Sequence, residues 1–514
     1  MKRFVQLIVL LLLGTGYAYA ERSNVFESDT PALRTIIVVF DGLRPDYIKP
    51  EWMPRLFAFS KKAAYGKDHH SVFPTVTRVN AASYITGSYP AMHGLVGNSL
   101  YLPTVNALKS FDTGEADSLR HIMKVTSGKL LTSPSLGEVL HAAGERLFVY
   151  SSGTTGQAFL QNHTVNGAII NPDMILPEAF RTEVAAAIGS PPAEATPNAA
   201  RHHWITDALC RYTLAPGGPL VSAIWFSDPD HTAHEHGIGV PLTIQALQSV
   251  DAEFGRILDS MQAKGLETIF NIIVTADHGF VTRTGKQGLS GFLIEKGLKE
   301  STGNTDVISA GGAVYVKDHD PERIKKIVEA LQKEEWVGAV FTRSIRPGSM
   351  KGWVKGTLSF ESVHWDHPQR AADILVAESW NNNTNGLGYA GSSMAGGVAG
   401  HGGSSPYETH IALMAYGPSF TRSFESELPT SNIDIVPTVL YLHHIAAPSQ
   451  MQGRVMNELL RVKSGVQAAH PRKQTLTGEV RQKWGTYKVI VERTLLGQYS
   501  YINYAQAVRT IRRK

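Results

Sequence analysis

The sequence predicts an α/β fold: a mostly parallel central sheet, helices on both its faces, and an inserted cap region. Three observations predict it. Short β-branched apolar runs at Arg34–Asp41 (RTIIVVFD), Leu220–Trp225 and Asn271–Ala276 (NIIVTA) read as buried strands. Stretches of helical period lie between them, and that alternation points to parallel pairing. Each run delivers an aspartate into the loop beyond it, at Asp41, Asp230 and Asp277. In open α/β sheets, ligands gather beyond the carboxyl ends of strands.

Taken in order, residues 1–20 have a basic start, an apolar run and Ala-Tyr-Ala at the end. They read as a signal peptide cleaved after Ala20, followed by a leader over 21–34. The apolar run from Val5 to Leu13 is short of the ~20 residues of a membrane span, and no later run reaches that length. The expectation is a periplasmic or secreted chain with no membrane span after cleavage. The main body runs over 35–460. Within it, Glu51–Lys62 has a helical pattern, and Phe73–Tyr101 reads as loop, short apolar helix and loop, with Thr77 at the first junction. Ser135–Ala143, Arg201–Leu214, Pro241–Lys264 and Asn432–Leu442 read as helices, and Leu147–Ser151 and His410–Tyr416 as strands. From 286 to 400 the pattern changes. Gly312–Lys317 and Ala339–Phe341 flank a helix over Pro321–Glu334, and Gly- and Asn-rich segments follow, which suggests the cap insertion. Residues 461–514 form a more basic and polar C-terminal extension.

Composition narrows the function. The chain has 514 residues, 43% hydrophobic and 18% charged, as a folded protein does. A formal net charge of +4 is too near balance to imply a nucleic-acid duplex as partner. The single cysteine, Cys210, allows no intrachain disulfide and reads as a small buried hydrophobe. Asn162 and Asn382 head glycosylation sequons.

Thr77 is the candidate nucleophile. A helix start offers free N–H groups and a positive dipole end, which suit an anion. Read alone, Thr77 would serve only as a helix N-cap. A hydroxyl needs a base or a metal to become a nucleophile. No base lies nearby in sequence, but metal ligands are at hand. Asp41, Asp230, His234, Asp277, His278 and His401, the last in AGHGG, supply three carboxylates and three imidazoles. That set suits two Zn2+ ions with positions left open. Two Zn2+ and three carboxylates leave the site at about +1 by formal count, a field that favours an alkoxide and an anionic ester. His231 and His236 are set aside as ligands, and His69, His70, His364 and His367 as surface or supporting groups.

The motifs VVFDGLRPDY, FPTVTRVN with ITGSYPAMHGLVGN, DPDHTAHEHG, NIIVTADHG and GHGGSSPYETHIALMAYGP occur in this order. In them the chain resembles the alkaline phosphatase superfamily, nucleotide pyrophosphatase/phosphodiesterase branch, from Thr35 to Leu460. The resemblance implies an alkaline-phosphatase-like fold and zinc-dependent hydrolysis of a phosphodiester or pyrophosphate through a phospho-threonine on Thr77. It implies Asp41, Asp277 and His278 as ligands of one zinc, with Thr77 bridging toward it, and Asp230, His234 and His401 as ligands of the other. It makes Asn98 the donor to a non-bridging phosphoryl oxygen, and the partner a small phosphate ester.

One departure is informative. Nucleotide-specific members often place an aromatic residue directly after the nucleophile, where it stacks on a base; here Arg78 stands there. That makes Arg78 a candidate substrate contact and leaves room for a second anionic group. No Lys or Arg occurs from Ser151 to Phe180, where the monoesterases of the superfamily carry added charge, and this favours a diester. The alternatives are a phosphomonoesterase or phosphonate hydrolase on the same metals, or a non-catalytic metal-binding scaffold.

Overall fold

A computed structural model describes residues 33–462 and 470–512. The signal peptide and most of the leader lie outside the described residues. The centre is a ten-stranded sheet with five parallel strands in the order Phe270–Ala276, Arg34–Phe40, Val221–Phe226, Leu147–Ser151 and Gly167–Asn171. Met174–Leu176 closes one side antiparallel. On the other side His410–Tyr416 runs antiparallel to Phe270–Ala276, and Ala64–His70 antiparallel to it in turn. Short strands Phe424–Ser426 and Thr430–Ser431 both pair with Ala64–His70.

Side-chain alternation sorts the central strand onto two cores. Ile37 and Val39 join a cluster with Ala81, Tyr84 and Ile85 of the helix Thr77–Thr86 and Val436 and Val439 of the helix Ile435–Leu442. Ile36, Val38 and Phe40 join a second cluster with Leu56 and Phe59 of Pro54–Lys62, Trp204 and Ile205 of Ala199–Ala208, and Leu247, Val250 and Phe254 of Pro241–Ala263. Helices therefore cover both faces, and the α/β expectation holds.

Several boundaries differ from the sequence reading. The helix expected from Glu51 starts at Pro54, a favoured first helical residue. The helix expected over Arg201–Leu214 is α-helical only over Ala199–Ala208 and continues as a π turn, Leu209–Thr213, that carries the half-buried Cys210. Asn432–Asp434 is a 3-10 turn ahead of Ile435–Leu442. His69, His70 and His367 are buried rather than at the surface. Asn162, the head of a sequon, is fully buried, with its amide donating to the carbonyls of Leu147 and Asn166.

After the central strands, a five-stranded sheet runs 307–310, 313–316, 374–378, 337–342, 358–359, backed by the helix Pro321–Leu331. A four-stranded sheet joins 380–384, 390–396, 281–285 and 399–400. The C-terminal residues form an antiparallel meander: Arg472–Gln482, Gly485–Leu496 and Tyr499–Ile511. Tyr487, Val489 and Val491 alternate into the core, and the Tyr487 hydroxyl donates to the Gly338 carbonyl and accepts from the Val340 N–H.

Candidate active site

Register brings the aspartates together. Phe40 lies opposite Ala276, so Asp41 and Asp277 leave the sheet side by side. Gly42 follows at φ +72°, a left-handed turn in which an added Cβ would crowd Asp230. Its N–H donates to Asp277 Oδ1. The Asp230 N–H donates to the Asp41 carbonyl, seating the helix Asp230–His236 directly beyond the strand. In that helix Asp230 and His234 are four residues apart and share a face.

Two groups of ligand atoms result. Asp41, Asp277 and His278 form a buried one; Asp230, His234 and His401 form a more open one; within each, one ligand atom per residue lies within 4.8 Å of the others. The His278 and His401 rings stack, centroids 3.5 Å apart, so the groups adjoin. Thr77 is the first residue of its helix, 5% exposed, and its Oγ1 lies 3.2 Å from His278 Nε2. The N-cap position is Val76, so Thr77 does not cap the helix with its side chain.

The donor set fits metal ions. Each aspartate keeps one buried oxygen that meets no group but the ligand histidines: Asp41 Oδ1 and Asp277 Oδ2 lie 3.5 and 3.0 Å from His278 Nε2, and Asp230 Oδ1 lies 3.2 Å from the Nε2 of both His234 and His401. Orphaned buried carboxylate oxygens are costly unless a cation meets them. The other oxygens of two are anchored. Trp225 Nε1 donates to Asp41 Oδ2 at 3.0 Å, and the N–H groups of Gly42 and His278 donate to Asp277 Oδ1. His278 Nδ1 lies 3.0 Å from the Gly279 carbonyl and His401 Nδ1 2.8 Å from the Thr75 carbonyl. Donation there leaves each Nε2 lone pair facing the carboxylates, the arrangement of metal-ligating histidines. Burial, then Asp277 and Asp230, push the Asp41 carboxyl well up, so this carboxylate calls for positive charge beside it. Burial and then His278 push His401 down to about 4, which keeps it neutral.

Asn98 stands beside the nucleophile. Its Oδ1 accepts the Arg78 backbone N–H at 3.1 Å, which leaves the amide nitrogen as the donor of that side chain. Arg78, Thr77, Asp41, Asp230 and His234 line one cavity of about 550 Å3. His231 also reaches it but leans on Thr196 and Glu194, outside both ligand groups. Asp228 is absorbed structurally: it accepts from Asn198, His202 and Thr232. Trp225, Thr75, Gly114 and Gln157 escaped the sequence reading. Trp225 alone carried a signal, as a polar-tipped side chain near the end of a buried strand.

Among known proteins, the family model for type I phosphodiesterase / nucleotide pyrophosphatase matches residues 35–386. Ectonucleotide pyrophosphatase/phosphodiesterase family member 1 of Rattus norvegicus is 28% identical over 250 residues, 48% of this chain and 24% of that protein. The chain thus aligns with about a quarter of that relative's length. Bis(5'-adenosyl)-triphosphatase enpp4 of Xenopus laevis is 25% identical over 420 residues, 80% of this chain and 77% of that protein. In fold, the chain is similar to murine ectonucleotide pyrophosphatase / phosphodiesterase 5, an inactive threonine-to-alanine variant in complex with AMP. The TM-score is 0.58 at 20% identity, over 83% of this chain and 100% of that one. The family match spans Asp41, Thr77, Asp230, His234, Asp277 and His278, the strand ends and helix starts that build the cavity, and the chain belongs to the type I phosphodiesterase / nucleotide pyrophosphatase family.

Proposed function

We propose that this chain is a zinc-dependent phosphoric ester hydrolase that cleaves a phosphodiester or pyrophosphate through a phospho-threonine on Thr77. One observation carries the reading: two adjoining acid–histidine groups, each with an orphaned carboxylate oxygen, flank a hydroxyl at a helix start. Asp41, Asp277 and His278 would hold one Zn2+, with Thr77 bridging toward it, and Asp230, His234 and His401 the other. When bound, two zinc ions supply the positive charge that favours the Thr77 alkoxide and stabilises the entering and leaving oxygens.

The chain's own residues do the rest. The helix start aims Thr77 Oγ1 at phosphorus, and its backbone N–H groups suit the incoming charge. The Asn98 side-chain amide donates to a non-bridging phosphoryl oxygen. Attack by Thr77 forms the O–P bond as the leaving alcohol or phosphate departs on the opposite side. Water then cleaves phospho-Thr77 and restores the hydroxyl. Arg78 contacts the substrate beyond the phosphoryl group. We read 286–400 as a cap inserted in the catalytic body and 461–514 as an appended extension. We place the chain in the periplasm or outside the cell on the strength of residues 1–20; no described helix is long and apolar enough to cross a membrane.

Thr77→Ala is expected to abolish turnover of bis(4-nitrophenyl) phosphate while zinc stays near two per chain by elemental analysis. Retained turnover would overturn the mechanism. A native enzyme that hydrolyses 4-nitrophenyl phosphate faster than the diester would favour the monoesterase alternative.

A further inference from the structure

The cavity beside Thr77 is polar, yet nearly all its polar side chains are already engaged. Arg201 forks onto Asp173 through both terminal nitrogens. Ser152 Oγ is taken by His202 and Ser227, Thr154 Oγ1 accepts from Gln157 N–H, and Thr155 Oγ1 from Ala116 N–H. Two donors remain. The Arg78 guanidinium has no ion pair or hydrogen bond among the described residues, and its Nε is buried. Gln157, 1% exposed, accepts the Ser151 hydroxyl on Oε1 and leaves Nε2 buried and unpartnered.

These two donors are mounted on one wall. Arg78 packs its guanidinium against Gly114, where an added Cβ would collide with it. The Gly114 carbonyl accepts the Gly156 N–H at 2.7 Å, which places Gln157 one residue along. An added Cβ on Gly156 would meet the Thr113 and Gly114 backbone, so the two segments touch without side chains between them. Thr113 donates both its N–H and its hydroxyl to the Asn98 carbonyl, and Asn98 takes the Arg78 N–H. Hydrogen bonds thus hold the segments of Arg78, Asn98, Gly114 and Gly156 against one another, and Arg78, Gly114 and Gln157 line the cavity together with Thr77.

A buried guanidinium nitrogen and a buried amide nitrogen, both donors and both unmatched, require an acceptor. Among the described residues no Phe, Tyr or Trp lines the cavity, so a base would find only imidazole and guanidinium planes to stack on. Glu115, Glu194 and Glu235 also line it, but all three are exposed and solvent weakens their reach. We propose that Arg78 and Gln157 form a subsite for an oxyanion, a carboxylate or a second phosphoryl group, carried by the substrate beyond its scissile phosphoryl. The subsite selects esters of small acidic alcohols over nucleotides. This rests on the phosphoric ester hydrolase reading above. Guanidinium binds either oxyanion in its planar fork, which Lys cannot reproduce.

Three 4-nitrophenyl phosphodiesters, all releasing nitrophenolate, test it: the methyl ester, the glycolate ester with a far carboxylate, and the ester of ethylene glycol phosphate with a far phosphoryl. The native enzyme is expected to favour at least one charged arm over the methyl ester by tenfold or more in kcat/KM, and the preferred arm identifies the oxyanion. That ratio, taken within each protein, is expected to fall at least tenfold in Arg78→Ala and to be only partly restored in Arg78→Lys. A native ratio near one, or a ratio unchanged in Arg78→Ala, overturns the subsite while turnover of the methyl ester leaves the hydrolase reading standing. No turnover of any ester overturns both.

Discussion

Asp41 shows how a single side chain is readied for a cation. Its Oδ2 is occupied by the Trp225 indole N–H, and its Oδ1 is buried with no partner but His278 Nε2. The division fixes the carboxylate plane, so the orphaned oxygen points toward Asp277 and His278. Trp225→Phe removes that donor and keeps an aromatic ring near Tyr84. Groups that orient metal-ligating side chains commonly carry about 10–100-fold in affinity. Zinc affinity measured by competition with a chromophoric chelator is expected to weaken within that range in Trp225→Phe. An affinity within twofold of native would reduce Trp225 to packing. The aspartate was legible because a buried apolar run ended on it. The indole was not, because its partner lies on a strand 184 positions away and no local pattern encodes the contact.

Among elements, the loop at 401–405 is the one the site depends on most. His401 Nδ1 reaches the Thr75 carbonyl, the Gly402 N–H donates to Thr75 Oγ1, and Thr75 Oγ1 donates to the Gly403 carbonyl. Thr75 stands two residues before the nucleophile, so one side chain sets His401 against Thr77. Thr75→Val keeps the shape and strands the Gly402 N–H and the Gly403 carbonyl, at about 1–3 kcal/mol each if they stay dry. Urea unfolding is expected to show a loss of that order, with weaker zinc binding in the same variant. Unchanged stability and zinc binding would mean that the loop is held from elsewhere. Its other side is tied to the C-terminal meander, where the Ser404 hydroxyl donates to the Ala505 carbonyl and the Ala505 N–H donates to the Ser404 carbonyl. This explains the uneven legibility of the elements. Strands buried on both faces announce themselves as β-branched runs. In the meander, by contrast, Tyr487, Val489 and Val491 alternate with Lys488, Ile490 and Glu492, and the half-exposed face made the stretch read only as basic and polar.

Across the whole molecule, buried and half-buried histidines sit where separate parts of the chain meet. His69 joins the central sheet to Thr430 and Asn432, and His367 meets Thr132, 235 positions away, at 3.0 Å. His364 stacks on Tyr89 and reaches Ser500 in the C-terminal meander, while His443 meets Thr35 at the start of the central strand. Burial first, then neighbouring charged groups, push His69 down to about 3 and His364, His367 and His443 to about 4. All four are therefore neutral in the fold and titrate near 6.5 once unfolded. With folded values below unfolded ones, their contribution is complete above pH 6.5 and is lost as pH falls toward 4. For the nearly inaccessible His69 and His367 the loss approaches about 1.4 kcal/mol per pH unit each. The urea midpoint is expected to fall steadily between pH 6.5 and 5, in zinc-loaded and chelator-treated protein alike, since none of the four belongs to the ligand groups. His367→Gln keeps a hydrogen-bonding group near Thr132 without a titrating ring, and is expected to flatten that slope by about one histidine's share. A midpoint independent of pH over this range, or a slope identical in His367→Gln, would show that these histidines do not couple protonation to the seams they occupy.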